Sequence, residues 1–175
     1  QFTLTKDDEA LVSESERHWE AARDSFAKTV VLSGKPNRKD LRGQSLRAQA
    51  HLQFGHTLMW KNQVNEAKQA YASALTWNPT AVNLGQRMGM LGQADLSDVL
   101  EQGAESFTER YGKDDPRDAT MLWWLGYTRF EARKARPAEE AFLAALKKAP
   151  EFANAWHYVA MARYDLKDYG GSVSA

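Results

Sequence analysis

The chain offers four histidines, His18, His51, His56 and His157, as its only imidazoles. His51 and His56 are five residues apart, about 140° around a helix, which is poor geometry for sharing one metal. No H-E-x-x-H pair is present. Gly85, Gly89 and Gly92 fit neither G-x-G-x-x-G nor G-x-x-x-x-G-K-[ST], so they make no phosphate cradle. Asp7-Asp8-Glu9 and Asp114-Asp115 fall at expected helix starts, where the helix dipole accounts for them without acid–base work. Zero cysteines exclude a disulfide scaffold, a thiolate zinc site and a cysteine nucleophile together. The expectation is therefore no enzyme, with no catalytic residue, cofactor or metal ligand. Aromatics, at 11% of the chain, can do the chemistry of recognition instead.

Composition narrows the partner. Lys+Arg and Asp+Glu are both 23, so the net charge is zero and no cationic surplus marks a nucleic-acid footprint. No run approaches the ~18 apolar residues of a spanning helix. The longest stretch without charge, 69–86, is broken by Asn78, Pro79 and Asn83. The chain begins at Gln1, which fits a removed signal peptide or a trimmed chain, and the compartment, cytoplasmic or exported, stays open. With 43% hydrophobic residues over 175, a folded, soluble protein is expected.

The positioning elements are helices. Ala, Leu, Gln, Glu, Lys and Arg fill the segments between sparse Gly and Pro, and the β-branched run is confined to Thr29-Val30-Val31. Thr5 followed by Asp8 reads as a cap with a carboxylate near the helix start. Leu11, Trp19, Ala22, Phe26 and Val30 recur at helical spacing, predicting one helix over 7–32 that Ser33-Gly34-Lys35-Pro36 ends. A second is predicted over 40–60.

Internal repetition carries the architecture. Ala67, Tyr71, Ala74 and Pro79 recur as Ala138, Phe142, Ala145 and Pro150, all four at one constant displacement. Gly55, Gly89, Gly126 and Ala160 form a second comb with intervals of 34, 37 and 34, and the first two intervals together equal the displacement of the first comb. Two independent combs agree. The chain resembles the tetratricopeptide repeat family, whose W-x2-L-G-x2-Y, A-x3-F and P positions recur with a period of about 34 residues. Here the pattern reads His51-x2-Phe54-Gly55-x2-Leu58 with Ala67, Tyr71 and Pro79, then Gly85-x2-Met88-Gly89-x2-Gly92. It continues as Leu122-x2-Leu125-Gly126-x2-Arg129 with Ala138, Phe142 and Pro150, and ends as Trp156-x2-Val159-Ala160-x2-Arg163.

The resemblance implies an all-α fold, an α-solenoid in which antiparallel helix pairs stack into a right-handed superhelix. It covers 48–175, divided as 48–81, a degenerate 82–118, 119–152 and a truncated 153–175, after an N-terminal cap with an imperfect half-repeat over 1–47. The physical sense is independent of the family. Gly55, Gly126 and Ala160 let two helices approach, Tyr71 and Phe142 fill the space opposite, and the prolines end the second helices. Gly85, Gly89 and Gly92 cost about 1 kcal/mol each in a helix, so a short or mobile helix is expected there. The three extra residues of the second repeat are placed in 111–116, where Gly112 can end one helix and Pro116 open the next.

The resemblance also implies a concave groove on the first helix of each repeat. Its expected lining is Leu52, His56 and Trp60, then Gln86, Met90 and Gln93, then Trp123, Tyr127 and Phe130, then His157, Met161 and Tyr164. The competing expectation is that neighbouring helices bury these rings, and Trp123-Trp124 puts apolar surface on more than one face. Family members that clamp acidic C-termini use Lys, Arg and Asn in the groove; aromatic, His and Met residues here favour an apolar or proline-containing segment. The expected function is a protein-interaction scaffold for a protein or peptide partner, without cofactor, nucleic acid or membrane span. The alternatives are a self-assembly module and an accessory domain of a larger enzyme. Ser172–Ala175 would begin an incomplete second helix, leaving Trp156 and Val159 uncovered. Residues beyond 175, or a homodimer through this truncated edge, are expected to cover them.

Overall fold

The computed structural model describes residues 6–81, 91–113 and 115–174. Among these the secondary structure is helical, without a strand. The helices are α1 (Lys6–Leu32), α2 (Leu41–Trp60), α3 (Val64–Trp77), α4 (Gln93–Tyr111), α5 (Ala119–Glu131), α6 (Ala135–Lys148), α7 (Ala153–Asp165) and α8 (Tyr169–Val173). Short 3₁₀ turns, Pro79–Ala81 and Pro116–Asp118, follow α3 and precede α5. Thr5, most of the glycine-rich segment (Gly85 and Gly89) and Met90 lie outside the described residues. Each helix packs on its neighbour in sequence, and the strongest contacts are α2 with α3 and α5 with α6. Short turns make these pairs antiparallel. The result is an α-solenoid of stacked helix pairs.

The turns explain the register better than the sequence could. Asn62, Arg133 and Lys167 adopt φ of 57°, 60° and 62° in the turns after α2, α5 and α7. In each, the residue just past that position returns its N–H to a carbonyl in the last turn, as Gln63 to Leu58, Lys134 to Arg129 and Asp168 to Arg163. This left-handed C-terminal cap closes the helix and reverses the chain. No glycine marks it. Elsewhere the caps are conventional: Asp40 accepts from the Gly43 N–H at 2.8 Å, Gly112 ends α4 at φ 94°, and Asp115 precedes Pro116.

Inside the pairs, a Cβ placed on Gly55 would lie 2.6 Å from the Tyr71 ring, and one on Gly126 would lie 2.6 Å from Phe142. Both rings are fully buried. Bare backbone is therefore required at both crossings. Ala67 and Ala138 are buried on the facing helices. At the other end of the pairs, the Arg47 guanidinium donates to the carbonyls of Val30 and Gly34, tying the end of α1 to α2. Arg47 and Arg110 both lie over the buried Trp77 ring, at 4.7 and 4.0 Å from its centroid.

Of Trp156 and Val159, both expected to lie uncovered, Val159 needs correction. Val159 is fully buried, because Ala138, Phe142 and Leu146 of α6 already cover it. Trp156 is not at a closed helix contact: it is 38% exposed and its indole N–H donates to the Pro150 carbonyl at 2.8 Å. Val159 thus points back into the preceding pair, while Trp156 stays partly in water, as do Tyr169 and Val173 of α8.

Candidate functional site

On α5, Trp123, Tyr127 and Phe130 share one face at spacings of four and three residues. Their counterparts on α7, one repeat further along, are His157, Met161 and Tyr164. The structure treats the two rows differently. His157, Met161 and Tyr164 are exposed, Tyr164 by 63%, whereas the α5 rings are half-buried. Tyr158 accounts for the difference. Its ring meets Trp123, Tyr127 and Phe130 at centroid separations of 5.8, 5.4 and 5.7 Å, in steep edge-to-face contacts. Trp123 also stacks on Tyr127 at 5.6 Å and meets Phe152 at 5.9 Å. Such ring pairs add about 0.5–1.5 kcal/mol each beyond their buried area. The α5 row is thus rigid, half core and half surface, and the α7 row continues it into water.

The cations on these helices are engaged elsewhere. Arg129 pairs with Glu101 at 2.7 Å, and Arg163 pairs with Glu139 at 2.6 Å. Burial, then the neighbouring Tyr127 and Glu131, push the Tyr158 phenol above its ordinary value, so it stays neutral. Neither row of the face carries a Lys, Arg, Asp or Glu side chain.

The first-repeat residues fall elsewhere. Leu52 is 3% exposed and packs in the core, so it lines no groove. The cluster that buries it is built from α2, α3, α4 and α5 residues, among them Tyr71, Leu100 and Leu125, a burial the groove assignment did not include. His56 is half-buried with its ring edge-on to Tyr71 at 5.5 Å. Trp60 is 78% exposed. His56 and Trp60 line a separate cleft with α1, together with His18 and Trp19. The α1 residues were missed because the groove assignment took in only the first helices of the repeats over 48–175 and nothing from the expected cap over 1–47. Leu11 and Trp19 at helical spacing were the available signal, but they read as core. Gln86 and Met90 fall outside the described residues, and of the Gln93 side chain nothing is described.

Metal chemistry finds no frame among the described residues, where no group of three or more His, Asp or Glu side chains is placed to hold an ion. No helix among them is long and apolar enough to cross a membrane. His18 pairs with Glu14 at 3.7 Å. His51 is half-buried, and its Nε2 has no hydrogen-bond partner among the described residues. Burial first, then the Arg47 guanidinium, lower its pKa from 6.5 to about 4. Between these values the unfolded chain binds a proton that the folded chain refuses. Stability should therefore be full above pH 6.5 and fall as pH drops toward 4. The loss should be on the order of 1–2 kcal/mol, since solvent screens a half-buried ring. Urea midpoints across this window check it. His51→Gln should remove this part of the slope, and an equal slope in both proteins refutes the assignment.

No protein-family model matches the chain, and no curated protein matches it. Among solved structures, the crystal structure of MamA is similar, at 16% identity over 99% of this chain and 91% of that chain, with a TM-score of 0.48.

Proposed function

We propose that the chain is a non-enzymatic interaction scaffold that receives a largely apolar protein segment on the α5–α7 face. The observation that carries this reading is the exposed row His157, Met161 and Tyr164 beside the rigid half-buried row Trp123, Tyr127 and Phe130. Apolar and aromatic surface left in water at regular spacing is what a recognition surface offers. The repeat organisation over 48–81, 82–118, 119–152 and 153–175 belongs to the same proposal. Apolar and proline-containing peptides selected from a displayed library against the whole chain test it. Tyr127→Ala and Tyr164→Ala should each weaken the selected peptides by about 1–2 kcal/mol, with helical content unchanged and little salt dependence. Peptides that bind both variants as well as the parent would sink the reading.

A second reading, edge-to-edge self-assembly, has its own observation: Trp156 on α7 and Tyr169 and Val173 on α8, the last helix, are each exposed. Sedimentation over a wide concentration range decides, and a strict monomer excludes it.

A further inference from the structure

A cleft of about 880 Å³ opens between α1 and α2 at the first end of the array. Leu11, His18 and Trp19 form its α1 wall, and Gln53, Thr57 and Trp60 its α2 wall. From Leu11 to Ala22 the α1 wall runs about 16 Å, or three helical turns. Leu11 is 65% exposed and Trp60 is 78% exposed. An isolated apolar residue in water needs no explanation, but two across one cleft do.

Elsewhere in the chain the same slot is filled. The left-handed turns at Asn62 and Lys167 align α2 with α7, so Gln53 corresponds to Tyr158 and Thr57 to Ala162. On α7, Tyr158 is covered by Trp123, Tyr127 and Phe130, and Ala162 is fully buried. On α2, the corresponding residues face the cleft. What occupies the slot beside α7 is α5, a helix parallel to it with rings at i, i+4 and i+7. The shape that fits beside α2 is the same: a helix, parallel to α2 and antiparallel to α1.

Charge specifies the helix further. Residues 6–20 hold six carboxylates against one lysine and one arginine, and Glu14 lies on the cleft. The C-terminus of α2, the negative end of its dipole, points to the same end. A helix running with α2 brings its own C-terminal half there. Lys61 already pairs with Glu16 there, so basic residues in that half are left to satisfy Glu14 on the cleft and the helix's own dipole.

We propose that this cleft docks an amphipathic helix supplied by a partner protein, with bulky apolar residues at i, i+4 and i+7 and Lys or Arg in its C-terminal half. This surface is independent of the α5–α7 face, and either can fail without the other. The probe is a synthetic capped peptide of about 18 residues, long enough to hold a helix. It carries Trp, Tyr and Phe at the α5 spacing and lysines in its last two turns. Anisotropy of the labelled peptide with the whole chain should show saturable binding. Trp60→Ala and Leu11→Ser should each weaken it about 10-fold with helical content unchanged, since both side chains are largely exposed. Exchanging the peptide lysines for glutamates should weaken it similarly at low salt, with the gap closing as salt rises. Tyr164→Ala should leave the affinity unaltered. The proposal is overturned if the peptide does not bind, if it binds both cleft variants equally well, or if Tyr164→Ala alone removes binding. It is also overturned if the free chain dimerises and Trp60→Ala makes it monomeric, because a second copy would then occupy the cleft.

Discussion

Phe142→Ala should destabilise the array by about 3–5 kcal/mol, measured by urea or thermal unfolding. The ring has no exposed surface, lies against the bare backbone at Gly126, and stacks on Tyr158 at 5.4 Å with 28° between planes. One side chain therefore joins α5, α6 and α7, and its loss leaves a cavity that three helices must collapse into. The complementary variant works from the other side. Gly126→Ala gains about 1 kcal/mol of helix propensity, yet its Cβ would come within 2.6 Å of two ring carbons. A buried ring has little freedom to yield, so overpacking should win and the variant should lose about 1–3 kcal/mol. Gly126→Ala with Phe142→Leu should recover part of the loss, giving a coupling above about 0.5 kcal/mol. Strict additivity of the two changes would mean that this crossing does not carry the packing.

This crossing was legible in the sequence because its parts are paired at a fixed displacement. Gly55 with Tyr71 is repeated as Gly126 with Phe142, both members shifted equally along the chain, and both pairs are in contact. The helix bounds over 7–32 and 40–60 were legible from capping and breaker residues, which act locally. The turns at Asn62, Arg133 and Lys167 were not, because their left-handed backbone is held by the fold rather than by glycine. Nor was the cleft. A helix's exposed apolar face looks the same in sequence whether a neighbour covers it, as at Leu52, or leaves it open, as at Leu11. Which rings of the α5–α7 face stay in water depends on Tyr158, a residue outside the spacing pattern that assigned the groove. Periodicity gives a face its direction, but only the neighbouring helix decides its burial.

The other large effect is expected at the junction between α4 and the last two pairs. Lys148 reaches from the final turn of α6 to Asp118 at 2.6 Å, with side-chain exposures of 14% and 2%. It also donates to the Lys113 carbonyl at 2.6 Å. Lys148→Met should cost about 3–5 kcal/mol, because it strands a carboxylate that is almost wholly out of water. The second carboxylate oxygen, Oδ1, already lacks a partner among the described residues, so nothing nearby takes over. Asp118→Leu combined with Lys148→Met should return most of the stability, since burying neither charge avoids both desolvation costs. The pH dependence distinguishes this account from a simple packing loss. Burial, the larger cause, holds the Asp118 carboxyl above its ordinary value even with Lys148 opposing it. For an acid raised in the folded state, protonation favours folding, so the penalty is full above its folded pKa and relieved as pH falls through it. Lys148→Met removes the opposing cation and should raise that pKa further. Relative to the parent, its deficit should shrink steadily from neutral pH toward the carboxylate range near about 4. A deficit that stays constant with pH would show that Lys148 acts through its aliphatic stem, and that the buried pair does not hold α6 to the start of α5.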